Sequence, residues 1–147
     1  MITIYVDMDD TLCDFVGQSE RDRLANPAIR FPQATYGFFR KLKPLPNAID
    51  SVHELEKMGY DVWILTRPSV LNPMCYTDKR VWVEEHLGME FCEKLILCPD
   101  KARVGDIGDY LIDDWCWEGF KGEQIHFGYG DTSTWKQVIE KFKNIKK

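Results

Sequence analysis

The chain opens with Ile2-Thr3-Ile4-Tyr5-Val6, a β-branched run that stops abruptly at Asp7-Met8-Asp9-Asp10. Such a run reads as a buried strand, because β-branched and aromatic side chains suit the pleated surface. The carboxylates that follow cannot continue into an apolar interior unpaired, so the strand must end where they begin. A first strand that delivers aspartates at its carboxyl end fixes what the rest of the chain has to supply. It needs apolar strands beside it and helices to cover them.

Those elements follow in order. Phe15 to about Leu24 has a weak helical pattern, and Asn26 to Pro46 is broken by Pro27, Pro32, Gly37, Pro44 and Pro46. Ala48, Ile49, Val52, Leu55 and Met58 fall at helical spacing, with Gly59 placed to cap the helix. Asp61-Val62-Trp63-Ile64-Leu65 predicts the second strand, and a helix from about Thr77 to Leu87 closes at Gly88. Leu95-Ile96-Leu97 predicts the third strand and Tyr110-Leu111-Ile112 the fourth, which ends at Asp113-Asp114. Gln124 to Phe127 is the expected fifth. Thr134 and Gln137 form a capping box before the stripe Trp135, Val138, Ile139 and Phe142. Alternating short strands and helices predict an α/β fold with a parallel sheet covered on both faces. Right-handed crossovers would bring every strand's carboxyl end to one edge, where such folds bind ligands.

Composition adds exclusions. A chain of 147 residues fits one domain, and 44% hydrophobic residues suffice for a core. The net charge of −5 argues against bulk nucleic acid as a partner, while leaving room for a small phosphorylated one. Cys13, Cys75, Cys92, Cys98 and Cys116 show no C-x-x-C pairing and read as reduced thiols. No signal peptide or membrane-spanning run is expected, which points to a cytoplasmic protein. His53, His86 and His126 have no metal-ligand spacing and read as surface or core histidines.

The polar residues at the strand ends form a pattern. Asp7 and Asp9 follow the first strand, Thr66 the second and Asp113-Asp114 the fourth, while Lys101 lies in the loop after the third. Phosphoryl transfer needs a nucleophile, a hard cation, a proton donor and donors for the phosphate oxygens. Asp7 can attack phosphorus, Asp9 can protonate the leaving oxygen, Thr66 can donate to phosphate and Lys101 can neutralise it. Mg²⁺ suits a site of carboxylates, and Asp114, Asp7 and the backbone carbonyl of Asp9 are its expected ligands. Asp10 is either a carboxylate behind the ligands or a turn residue. Lys79 and Arg80 open a helix whose N-terminus can face the phosphate, or they are surface charge.

Together these positions resemble the four motifs of the haloacid dehalogenase (HAD) superfamily, and more closely the 5′(3′)-deoxyribonucleotidase family. The resemblance rests on Asp7-Met8-Asp9 through Leu12-Cys13-Asp14-Phe15, on Pro44-Leu45-Pro46-Asn47-Ala48, and on Thr66-Arg67-Pro68. Tyr76 to Glu84, Asp100-Lys101 and Leu111-Ile112-Asp113-Asp114 extend it over nearly the whole chain. It implies a Rossmann-like three-layer fold with strand order 3-2-1-4-5, in one domain over 1–147 with a short cap inserted at about 17–43. It further implies a nucleoside monophosphate phosphatase working through an aspartyl-phosphate, with Asp7 as nucleophile, Asp9 as acid and base, and Mg²⁺ held by Asp7, Asp9 and Asp114. Thr66, Lys101, Arg67 and Lys79 would bind phosphate or substrate, and Phe15, with Phe38 and Phe39 of the cap, would stack on the base. Asp10 stands where the family more often has glycine, Arg67 where it usually has a small hydroxyl residue, and the cap is short. A phosphatase for another small phosphomonoester and a phosphoacceptor signalling domain are the alternatives. Whether the chain forms a homodimer stays open.

Overall fold

The computed structural model describes residues 1–145. Strand β1 (Thr3–Val6) lies at the centre of a five-stranded parallel sheet, flanked by β2 (Asp61–Thr66) and β4 (Tyr110–Asp113). Strand β3 (Leu95–Leu97) borders β2 and β5 (Glu123–His126) borders β4, giving the order β3-β2-β1-β4-β5. The register pairs Val6 with both Ile64 and Ile112, Thr66 with Leu97, and Asp113 with His126. Asp7, Thr66 and Asp113 therefore reach the same edge of the sheet, each at the end of its strand.

Five α-helices accompany the sheet among the described residues: α1 (Phe15–Ala25), α2 (Ala48–Lys57), α3 (Cys75–Leu87), α4 (Met89–Cys92) and α5 (Trp135–Lys143). The expected helices are all present, and α4 is an unforeseen extra turn after the Gly88 cap, whose φ of 93° only glycine adopts freely. Helix α3 buries Cys75, Asp78, Lys79, Trp82, Val83 and Leu87, the i, i+3, i+4, i+7 stripe of a core-facing helix. Two of those six are charged, which is costly unless they are paired. Helix α5 starts at the Thr134–Gln137 capping box and buries Trp135, Val138 and Phe142.

The two faces of the sheet are covered differently. Alternate strand residues Ile4, Val6, Val62, Ile64, Ile112 and Ile125 join the large core with α2, α3, α5 and the buried rings of Phe38 and Phe39. The opposite parity, Tyr5, Leu65 and Leu111, meets a small cluster of Phe120, Ile96, Val104 and Trp117, contributed by strands and connecting segments. On that side the β3–β4 connection has a single 3-10 turn (Lys101–Arg103), and the β4–β5 connection has no helix. The second layer is thus built from loops, which keeps Lys101 and Trp117 close to the sheet edge.

The segment after α1 folds back through a 3-10 turn at Pro32–Ala34. Three hydrogen bonds fasten it: the buried Asn72 side chain donates to the carbonyls of Gln33 and Thr35, both at 3.1 Å, and Asp78 accepts from the Gly37 amide at 3.2 Å. Phe38 and Phe39 pack edge to face, 5.2 Å apart, and Phe38 sits edge-on to Phe15 at 5.4 Å.

Candidate active site

After β1 the chain makes a tight turn in which the amides of Thr11, Leu12 and Cys13 all donate to the Met8 carbonyl. The Trp135 indole donates to the Thr11 carbonyl at 2.7 Å, so the first residue of α5 pins the turn from below the core. Asp10 has φ 59°, a left-handed conformation that favours glycine. Its carboxylate offsets the strain by accepting from the amides of Phe15 and Val16, both at 3.0 Å, while Asp14 accepts from Gly17 at 3.0 Å. Asp10 is a helix cap as well as a turn residue.

Asp7 lies between two opposed influences. Lys101 Nζ, buried, donates to Asp7 Oδ1 at 2.6 Å and to Asp113 Oδ2 at 2.7 Å. The Thr11 hydroxyl accepts from the Asp114 amide at 3.2 Å and stands 3.2 Å from Asp7 Oδ2 and 3.5 Å from Asp114 Oδ1. Carboxylate oxygens of Asp7, Asp113 and Asp114 come within 4.8 Å of one another, a group that can hold a metal ion. Burial and then the adjacent Asp7 push the Asp114 carboxyl up to about 8. Burial, with Asp7 again adding, pushes Asp113 to about 6, and Lys101 opposes the rise. Carboxyls raised in this way demand either a proton or a cation.

Asp113 has already spent its oxygens on Lys101, on the Trp115 amide at 2.9 Å and on the Trp117 indole at 3.1 Å. Asp7 and Asp114 therefore have the greater capacity for a cation, with Asp113 beside them. The Asp9 carboxylate is engaged elsewhere: Oδ2 receives Lys79 at 3.1 Å and Oδ1 lies 3.7 Å from Cys13 Sγ. Asp9 keeps its backbone carbonyl for a metal, the donor expected from the sequence. Burial raises the Asp9 carboxyl above the ordinary range, with Lys79 pulling the other way.

Lys79 also departs from expectation. It is fully buried, and its ammonium donates to Asp9, to Thr66 Oγ1 at 2.5 Å and to the Arg67 carbonyl at 2.7 Å. An ammonium has three protons, and all three are committed, so Lys79 cannot also be a phosphate ligand. It ties the ends of β1 and β2 together. Lys101, with two protons committed, keeps one to give. Thr66 accepts from Lys79 and keeps its own proton. Arg80 is exposed and pairs with Glu84.

A cleft of about 520 Å³ opens over these groups, bordered by Asp7, Asp9, Asp10, Lys101, Asp113 and Asp114 at the acidic end. Phe15, Phe39, Arg67, Val70, Leu71, Trp115 and Trp117 also line it. Phe38, a stacking candidate in the sequence, is fully buried and outside the cleft; its ring is used to pack the segment after α1 onto the core. Arg67 is exposed, with its guanidinium 5.9 Å from the Trp117 ring centre. Trp115, Trp117, Thr11 and Asn72 escaped the sequence reading. The Trp-Cys-Trp spacing directly after Asp113-Asp114 was the available signal for the first two. His126, read as structural, places Nε2 2.9 Å from the Asp114 carbonyl and stacks on Tyr129.

Residues 22–141 match the family profile described as 5′ nucleotidase, deoxy (pyrimidine), cytosolic type C protein. A protein of Vibrio phage KVP40, named as a 5′(3′)-deoxyribonucleotidase, is 37% identical over 143 residues, which is 92% of this chain and 81% of the phage protein. The chain belongs to the 5′(3′)-deoxyribonucleotidase family. The human cytosolic-type 5′(3′)-deoxyribonucleotidase is 36% identical over 70% of this chain, and a Bordetella bronchiseptica relative is 46% identical over 53%. The matched part spans 47% and 41% of those two longer relatives, respectively. In fold the chain resembles a HAD family hydrolase from Deinococcus radiodurans, whose structure holds phosphate and sodium. The TM-score is 0.55 at 9% identity, covering 95% of this chain and 86% of that one. The family's named members are phosphomonoester hydrolases, the class in which this chain is placed, and a phosphoacceptor signalling domain is set aside. Among the described residues no helix is long and apolar enough to cross a membrane.

Proposed function

We propose that this deoxyribonucleotidase-family protein hydrolyses nucleoside monophosphates by way of a phosphoryl group carried on Asp7, with Mg²⁺ as the required cation. The observation that carries the reading is the placement of Asp7, its Oδ1 bound to Lys101 and its Oδ2 beside Thr11, on the floor of the cleft. The donor set fits a hard cation. Asp7, Asp113 and Asp114 bring carboxylate oxygens within 4.8 Å of one another, and carboxyls that burial raises call for a proton or a cation there. Asp7, Asp114 and the Asp9 carbonyl would hold the ion, which when bound screens the phosphate and Asp7 from one another.

A carboxylate oxygen of Asp7 attacks phosphorus and the bond from phosphorus to the ester oxygen breaks. Asp9, its carboxyl raised by burial, hands its proton to the departing alkoxide. Water then enters, Asp9 takes a proton from it, and attack on phosphorus releases inorganic phosphate and restores Asp7. Lys101 neutralises Asp7 and lends its remaining N–H to a phosphate oxygen, as the Thr66 hydroxyl does from β2. Arg67 and the aromatic and aliphatic walls receive the nucleoside.

A turnover panel of deoxynucleoside 5′- and 3′-monophosphates, ribonucleotides and sugar phosphates, run on the full chain and on Asp7→Asn, tests this reading. Wild type should prefer a nucleotide, and Asp7→Asn or chelation of Mg²⁺ should abolish turnover. Activity surviving either treatment overturns the mechanism, and sugar phosphates outrunning every nucleotide overturns the substrate class alone.

A further inference from the structure

Resting on the nucleotide reading above, we propose that the indole of Trp115 is the platform on which the substrate's base stacks. The rings expected to serve are unavailable. Phe38 lies outside the cleft, Phe39 is 2% exposed, and half-buried Phe15 is committed to both, at 5.4 and 6.0 Å between ring centres. Of the two tryptophans on the β4–β5 loop, Trp117 is also committed. Its indole N–H binds Asp113, and the Arg67 guanidinium and Lys101 ammonium lie 5.9 and 5.8 Å from its ring centre.

Trp115 is different. It is 69% exposed while lining the cleft, and it directly follows Asp114 in the chain. A large indole left in water beside a phosphate site has its apolar face unburied until a ligand covers it. Its backbone is nevertheless fixed. The Trp115 amide donates to Asp113 at 2.9 Å, and Trp117 and Gln124 exchange two hydrogen bonds of 2.7 Å just beyond. A loop clamped on both sides of the ring loses little freedom when a base lands on it. Val70 and Leu71 line the same cleft and are exposed, giving a second apolar wall from the loop after β2. The short segment after α1 leaves the cleft open at this lip, and the β4–β5 loop takes over base recognition from it.

The test compares kcat/KM for a deoxynucleoside 5′-monophosphate with that for 2-deoxyribose 5-phosphate, which carries the same ester and no base, in wild type, Trp115→Ala and Trp115→Phe. The alanine substitution keeps the main-chain bond to Asp113, and the side chain is exposed, so the fold persists. The nucleotide preference should fall by about tenfold or more in Trp115→Ala, chiefly through KM, because stacking on one ring is typically worth that much. Trp115→Phe should recover most of it. An undiminished preference in Trp115→Ala overturns the platform and leaves the nucleotide reading standing. A wild type that treats the two esters alike overturns the nucleotide reading and this inference with it.

Discussion

The Lys79 ammonium lies 3.1 Å from Asp9 Oδ2 and 2.5 Å from Thr66 Oγ1, so one buried cation joins the ends of two neighbouring strands. A charge placed there is tolerable only because each of its protons has a partner. The same contact holds the Asp9 carboxyl in place and restrains the rise that burial imposes on it.

Replacing Lys79 with methionine should therefore do two things. Breaking a buried pair costs about 3 kcal/mol, readable as a lower midpoint in urea denaturation. Without the ammonium the Asp9 carboxyl should climb further, moving the alkaline limb of the kcat/KM profile, where Asp9 must still hold its proton, to higher pH. An unmoved limb would show that Lys79 is structural only.

Burial raises the carboxyls of Asp114 to about 8 and Asp113 to about 6, both above the value of about 4 expected in the unfolded chain. The folded state then binds more protons than the unfolded one, so their stabilising contribution is complete below about pH 4 and is lost as pH rises through 6 and 8. Metal-stripped protein should lose Tm as pH rises from about 4 to about 8, and Mg²⁺ should restore more of it at each higher pH. Thermal melts in chelator and in Mg²⁺ check this. A flat Tm in chelator would contradict it.

Asp10 pairs a strained backbone with a capping carboxylate, and substitutions separate the two. Asp10→Ala keeps the left-handed strain and loses both bonds to α1, at a cost of about 2 kcal/mol. Asp10→Gly should cost less, since relief of strain offsets the lost cap, and Asp10→Asn least. Equilibrium denaturation of the three gives the order directly.

Asn72 is fully buried, donates to the Gln33 and Thr35 carbonyls and accepts from the Met74 amide. Asn72→Ala would orphan those groups at about 2 kcal/mol. Because Val70 and Leu71 stand next to it in the cleft wall, KM should rise more than kcat falls. Steady-state kinetics beside a denaturation curve would reveal an uncoupled wall if KM held still.

Much of this was legible in residue order. The strands and the convergence of Asp7, Thr66, Lys101 and Asp114 follow from apolar runs that end in polar residues, a pattern set by burial of the sheet, whereas the order 3-2-1-4-5 was implied by the family resemblance alone. Side-chain direction was not legible. Lys79 reads as a phosphate-facing or surface charge at a helix start, yet helical spacing with Cys75 and Trp82 turns it inward, where it meets Asp9. Phe38 and Phe39 read equally as a stacking platform or as core packing, and their burial against each other and Phe15 shows the packing. Trp115 sits in a connection without periodicity, so no pattern in the sequence separates it from Trp117.

The double capping of α1 by Asp10 and Asp14 reaches beyond stability. Asp10 belongs to the turn that carries Asp7, and it grips the first turn of α1, so the two travel as one body. A jaw that swings needs slack at its hinge, and here the hinge is fastened to the loop that carries Asp7. Under the proposed function, the arriving substrate itself displaces water from the cleft, and the quality of its fit governs how dry the reaction runs.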